Sequence, residues 1–156
     1  MATIHSTMLH ELGTAVLLVV ITLSVQCVGA AMLINWLKST LRREFRDLRM
    51  SSSAVLVMQA TVAVIILQGL TILLWASCYR LLCFSSWESA FYFSATSYST
   101  VGYGDILLPP KWRLFGPLES MLGVLMCGIS VSILFALINR LVDRENANRT
   151  LKKGVS

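Results

Sequence analysis

Charge is scarce in this chain. Only 13% of its 156 residues are Asp, Glu, Lys or Arg, against 56% hydrophobic residues. An ordinary soluble domain carries about a quarter charged residues, so water is not the main solvent here. Histidine is nearly absent, with His5 and His10 both within the first ten residues. No nucleophile stands beside an evident base or metal-ligand set, which argues against an enzyme. The four cysteines, Cys27, Cys78, Cys83 and Cys127, lack the spacing of a zinc site. Residues 1–11 hold no Lys or Arg. A secretory signal peptide needs a basic start and a shorter apolar run, so the first apolar segment is expected to stay as a membrane helix.

What the chain has instead is uncharged length. Residues 12–37 and 50–79 contain no Asp, Glu, Lys or Arg, and 114–139 is interrupted only by Glu119. Each run exceeds the roughly 20 residues a helix needs to cross a bilayer. One such run alone reads equally well as a buried core helix, but three in so short a chain leave no amphipathic layer to cover them. The expected fold is an all-α membrane protein with three transmembrane helices.

Orientation follows from the basic residues. Lys38, Arg42, Arg43, Arg46 and Arg49 follow the first run; Arg140, Arg144, Arg149, Lys152 and Lys153 follow the third. Ten of the 13 basic residues thus share one side, which the positive-inside rule assigns to the cytoplasm. The N-terminus is then outside, the C-terminus inside, and 80–113 faces out. The net charge of +5 reads as topology and as contact with anionic lipid at Lys38, Arg42, Arg43, Arg46 and Arg49, with no nucleic-acid partner required. Arg43, Arg46 and Arg49 recur as in a voltage-sensing helix, but Glu44 and Asp47 interrupt them. The stretch reads better as an amphipathic cytoplasmic linker, with Leu41, Phe45 and Leu48 at the membrane surface.

Within the outer segment, Ser85 with Glu88 three positions on forms a capping-box pattern, and a helix over 86–98 is expected. It is too short to span, and it runs straight into Thr100-Val101-Gly102-Tyr103-Gly104-Asp105. Irregular backbone is tolerated at membrane depth only where protein surrounds it or it lines a watery cavity. A re-entrant hairpin lining a pathway is the expectation.

Those six residues resemble the potassium-channel signature, and the order of membrane helix, short pore helix, signature and membrane helix resembles the pore module of bacterial-type channels in that family, over about 54–140. The resemblance implies a selectivity filter at Thr100, Val101, Gly102, Tyr103 and Gly104, with K+ held at Thr100, Val101, Gly102 and Tyr103. Carbonyl oxygens can replace the ion's lost hydration without a full negative charge that would hold it too tightly. Pointing successive carbonyls one way requires left-handed residues in alternation, which Gly102 and Gly104 supply without steric cost. Five residues span at most about 17 Å, at roughly 3.3 Å each, enough for ions in single file. One loop covers one side of an ion, so a homotetramer is implied. K+ would be the permeant ion, with no cofactor, in a bacterial inner (plasma) membrane. A non-conducting accessory or receptor-like subunit retaining the fold is the alternative. A related transporter would carry four degenerate filter repeats, and this chain has one.

The expected organisation is an extracytoplasmic tail (1–11), a first transmembrane helix (12–37), a basic linker (38–53), a pore module (54–140) and a cytoplasmic tail (141–156). The pore module divides into outer helix 54–79, pore helix 86–98, filter 100–104 and inner helix 113–140. Roughly 17 residues follow Asn139, too few for a sensing domain. Asp105 is either an outer-mouth acid or an ordinary solvated one. Ser94, Thr96, Tyr98 and Glu119 are candidates for supporting the filter. Glu119 either meets the hydroxyls of Ser94 and Thr96 or the filter backbone, or reaches water or Arg113 at the interface. Gly128 and Gly123 are candidate hinges, and both also read as packing positions. Phe91, Tyr92 and Phe93 stand where the family commonly has paired tryptophans and are expected to pack around Tyr103. Cys78 and Cys83 are read as free thiols, although a disulfide is chemically open to them. Pro109 and Pro110 break the chain before the last helix, and Gly116 and Pro117 are expected to disturb its first turns.

Overall fold

The computed structural model describes residues 2–43 and 50–153. Its elements are α1 (Ala2–Arg43), α2 (Met50–Leu82), α3 (Trp87–Tyr98), a 3-10 turn (Pro110–Trp112) and α4 (Phe115–Lys153). Three of the segments are long and apolar enough to cross a bilayer: Gly13–Thr40, Ala54–Leu82 and Pro110–Ala147. This is the expected all-α membrane architecture, with α3 between the second and third spans.

The helices overrun the boundaries read from hydrophobicity. α1 begins at Ala2 rather than 12, and α4 continues to Lys153 rather than stopping at 140. Hydrophobicity marks where a bilayer would end, whereas the backbone continues as long as propensity allows, and 141–153 contains neither Gly nor Pro. Of the basic linker, Lys38 lies within α1 and Arg42 and Arg43 close it. Phe45, Arg46, Leu48 and Arg49 lie outside the described residues.

Two local expectations shift by a turn or less. The N-cap of α3 is Ser86, not Ser85: its backbone is extended (φ −121°, ψ 146°) and its hydroxyl accepts from the Ser89 amide at 3.1 Å. Ser89 therefore takes the place expected for Glu88. Pro117 falls in the first turn of α4, where no helical N–H is needed, so the helix forms from Phe115 without disturbance. The break itself is upstream, at the extended Pro109 and at Pro110 in the 3-10 turn.

One apolar cluster joins every helix: Ala15 of α1, Trp75 and Tyr79 of α2, Ala90 of α3, and Phe115 and Leu122 of α4. Its rings interlock edge to face, Tyr79 on Phe93 at 5.0 Å and Trp75 on Phe115 at 6.3 Å between centroids. A smaller cluster of Leu37, Leu56, Ala60 and Leu137 closes the other end. Lipid tails are as apolar as leucine, so close contact and hydrogen bonding, rather than exclusion from water, decide how such helices pack. Gly123 is where contact is tightest. A methyl group there would overlap the main-chain carbonyl of Tyr98, so this glycine has a packing reason.

Gly123→Ala is accordingly expected to destabilise the protein by about 1–3 kcal/mol, the usual cost of overfilling a packed contact. Thermal unfolding in detergent measures it. Gly69→Ala, where the added methyl meets nothing within 4 Å, serves as the control and should leave the midpoint unchanged or raised.

Candidate functional site

The site begins where α3 stops. After Tyr98 and the C-cap Ser99 (φ −78°, ψ 0°) the chain enters an irregular strip from Thr100 to Gly104. Every second residue of it is left-handed: Thr100 at φ 61°, Gly102 at 51° and Gly104 at 78°. The glycines were legible in the sequence. Thr100 was not, because a β-branched residue avoids this region, at a cost on the order of 1–3 kcal/mol.

Hydrogen bonds to the helix end hold the strip in place. The Thr100 amide donates to the Ser97 carbonyl at 3.0 Å; those of Val101 and Gly102 both donate to the Thr96 carbonyl, at 2.9 and 3.1 Å. Three consecutive N–H groups are thus turned back onto α3. Among the described residues, none of the backbone–backbone bonds uses a carbonyl of Thr100–Gly104 as acceptor. Farther along, the Tyr92 hydroxyl of α3 donates to Asp105 Oδ2 at 2.9 Å, pinning the far end and holding that phenol above its ordinary range. The result is a short ribbon anchored to α3 at both ends, with its carbonyl oxygens uncommitted.

α4 grips α3 directly behind this ribbon. Ser120 Oγ donates to the Ser97 carbonyl at 2.7 Å, Glu119 meets Ser94, and Gly123 receives Tyr98. Residues 119, 120 and 123 of α4 therefore face 94, 97 and 98 of α3, at the spacing of one helix face against another.

A family model described as "ion channel" matches residues 55–140, a span that contains most of α2, all of α3, the ribbon and the apolar part of α4. The chain belongs to this ion channel family. No curated protein and no solved structure matches it. The helix α1 lies outside the matched span.

In this channel Glu119 is fully buried, with two hydroxyls against it and a third polar contact made by one of those hydroxyls. Tyr79 donates to Oε2 at 2.8 Å, Ser94 Oγ lies 2.5 Å from Oε1, and the same Ser94 Oγ lies 2.9 Å from the Ile72 carbonyl. Two hydroxyl protons make two full bonds, so the third contact is either a shared proton or calls for a further donor. If Ser94 donates to Ile72, the remaining bond to Oε1 requires a proton from Glu119 itself, and a neutral carboxylic acid satisfies all three. Of the two expectations for Glu119, the Ser94 contact is present and Arg113 is exposed. Thr96 is not a partner, because its hydroxyl is turned to the carbonyls of Tyr92 and Phe93. Tyr79 was missed, as nothing in sequence connects positions 40 residues apart.

The expected aromatic ring around Tyr103 does not form within the chain. Phe93 packs on Tyr79 and Phe84, Tyr92 serves Asp105, and Phe91 is exposed. Val101 and Tyr103 are 51% and 72% exposed, and among the described residues no ring pairs with Tyr103. Gly128 faces open space within a continuous α4. Cys78 and Cys83 are free thiols, and burial, reinforced by Cys78, pushes the Cys83 thiol up to about 11.

Proton accounting at Glu119 makes a direct prediction. Glu119→Gln, able to donate to Ser94 and accept from Tyr79, should keep stability close to that of the parent. Glu119→Ala strands both partners and should cost about 1–3 kcal/mol. Thermal unfolding compares them, and infrared difference spectra against Glu119→Gln should show the carbonyl band of a protonated acid at neutral pH.

Proposed function

We propose that this chain is one subunit of a potassium-selective channel that conducts K+ passively through a homotetrameric pore. The observation that carries the reading is the left-handed alternation at Thr100, Gly102 and Gly104, combined with amides turned back onto α3. Backbone oxygens of Thr100, Val101, Gly102, Tyr103 and Gly104 are then free to face a shared axis, where four copies replace the hydration shell of a potassium ion. Asp105 stands at the outer mouth, its position set by Tyr92.

Exposure of the ribbon in a single chain supports the oligomer. Val101 and Tyr103 carry large apolar surfaces, and behind the ribbon lies an open cleft of about 690 Å³ lined by Phe93, Thr96 and Pro117 among others. A neighbouring copy would cover both. Gly128, whose position accepts a methyl without contact, is our proposed bending point of α4; Gly123 is a packing residue in this reading. Ser94, Thr96, Tyr98 and Glu119 support the filter from behind. In this reading the N-terminus is outside and the C-terminus in the cytoplasm, an orientation supported by the clustering of basic residues after the first and third apolar runs, which would also suit anionic lipid.

Potassium and sodium flux into liposomes, with parent protein and Gly104→Ala side by side, tests the function. A methyl at 104 meets nothing within 4 Å, so its effect is conformational: about 1–2 kcal/mol against the left-handed backbone in each of four copies. The parent should pass K+ and reject Na+, and the variant should lose that discrimination while still assembling. Absence of K+ flux from the assembled parent would favour a non-conducting subunit, and unchanged selectivity in Gly104→Ala would contradict the filter assignment.

A further inference from the structure

α1, the helix outside the family match, sends one polar side chain into the pore module. Gln26 is 4% exposed, in a segment otherwise suited to lipid. Its Nε2 lies 2.6 Å from Thr71 Oγ1, 3.0 Å from Gln68 Oε1 and 3.4 Å from the Tyr98 hydroxyl. The same Gln68 oxygen accepts from Tyr98 Oη, and Gln68 Nε2 donates to Ser130 Oγ of α4 at 3.1 Å. Thr71 passes its own proton to the Leu67 carbonyl. The proton count closes. Gln26 gives its two protons to Thr71 and Gln68, Tyr98 gives its one to Gln68, and Gln68 gives one to Ser130.

Five side chains from four helices therefore form one connected network, and Tyr98 is the member nearest the ion path. Its hydroxyl donates to Gln68, its main chain rests against Gly123, and two residues later comes the strained Thr100. A left-handed threonine persists only where its surroundings over-determine it. We infer that Gln26 is a positioning residue for the filter: α1 fixes the last turn of α3, and so the backbone of Thr100, through Gln68 and Tyr98. This extends the channel reading above and rests on it for its functional meaning.

α1 is also docked by a second, separate bond, Trp75 Nε1 to Thr22 Oγ1 at 3.0 Å, which does not reach Tyr98. That bond is the internal control. Hydrogen–deuterium exchange on the full assembled protein in lipid nanodiscs would follow the amides of Thr100, Val101 and Gly102. Gln26→Met should speed their exchange about 3- to 10-fold, the range expected for losing one intramembrane hydrogen bond. Tyr98→Phe should do the same, the double variant should add nothing further, and Thr22→Val should leave these amides unchanged. In flux measurements the K+ to Na+ ratio should fall in Gln26→Met with the amount of assembled protein unaltered.

The inference is overturned if Thr22→Val acts as strongly as Gln26→Met, if the two network variants are additive, or if filter exchange does not change. Should Gln26→Met fail to assemble, Tyr98→Phe decides, since it removes one hydroxyl and leaves α1 intact; unchanged exchange there is equally fatal. Exchange does not depend on conduction, so a protein that passes no K+ would refute the channel reading and still allow this test.

Discussion

The last turn of α3 is the constraint on which the structure depends. Carbonyls of Thr96 and Ser97, unsatisfied at any helix C-terminus, take up the amides of the next residues instead of water. The bonds settle two things together. They place the ribbon against its helix, and they leave its own carbonyls without internal partners. A chain that satisfied those oxygens internally would have nothing to offer an ion.

The rest of the molecule can be read as the means of holding that turn still inside a bilayer. Apolar packing alone gives little direction there, so polar side chains set the register. Ser94 joins α3 to both α2 and α4, Ser120 takes the Ser97 carbonyl, and Gly123 lets the Tyr98 backbone approach α4 closely. On the other flank, Gln26, Gln68, Thr71 and Ser130 form one hydrogen-bonded network, in which Gln68 accepts from the Tyr98 hydroxyl. Each group is at least partly buried, and each polar one is paired. The buried carboxyl of Glu119 follows the same rule, accommodated by hydrogen bonds to hydroxyls of two neighbouring helices.

Much of this was legible in the sequence, and the boundary is a physical one. The three spans follow from uncharged length, α3 from its serine cap and helix-compatible run, and the left-handed positions at Gly102 and Gly104 from the residue type itself. Thr100 was hidden because its own preference opposes the conformation it holds, and only the neighbouring bonds explain it. Gln26 and Gln68 were hidden for another reason: a glutamine in an apolar run has no visible partner until the helices are placed, 42 residues apart in sequence and 3.0 Å in space. The same holds for Tyr79 with Glu119. Helix ends lie outside what hydrophobicity can mark, since it reports the apolar run and not where helical backbone stops, as beyond residue 140 in α4.

The central claim is that uncommitted oxygens of Thr100–Gly104 from four copies enclose an ion. Electron cryo-microscopy of the protein reconstituted in potassium-containing lipid tests it most directly. The account predicts a fourfold axis with density for single-file ions between the carbonyls of these residues. An assembly without that axis, or a ribbon turned away from it, would contradict the account.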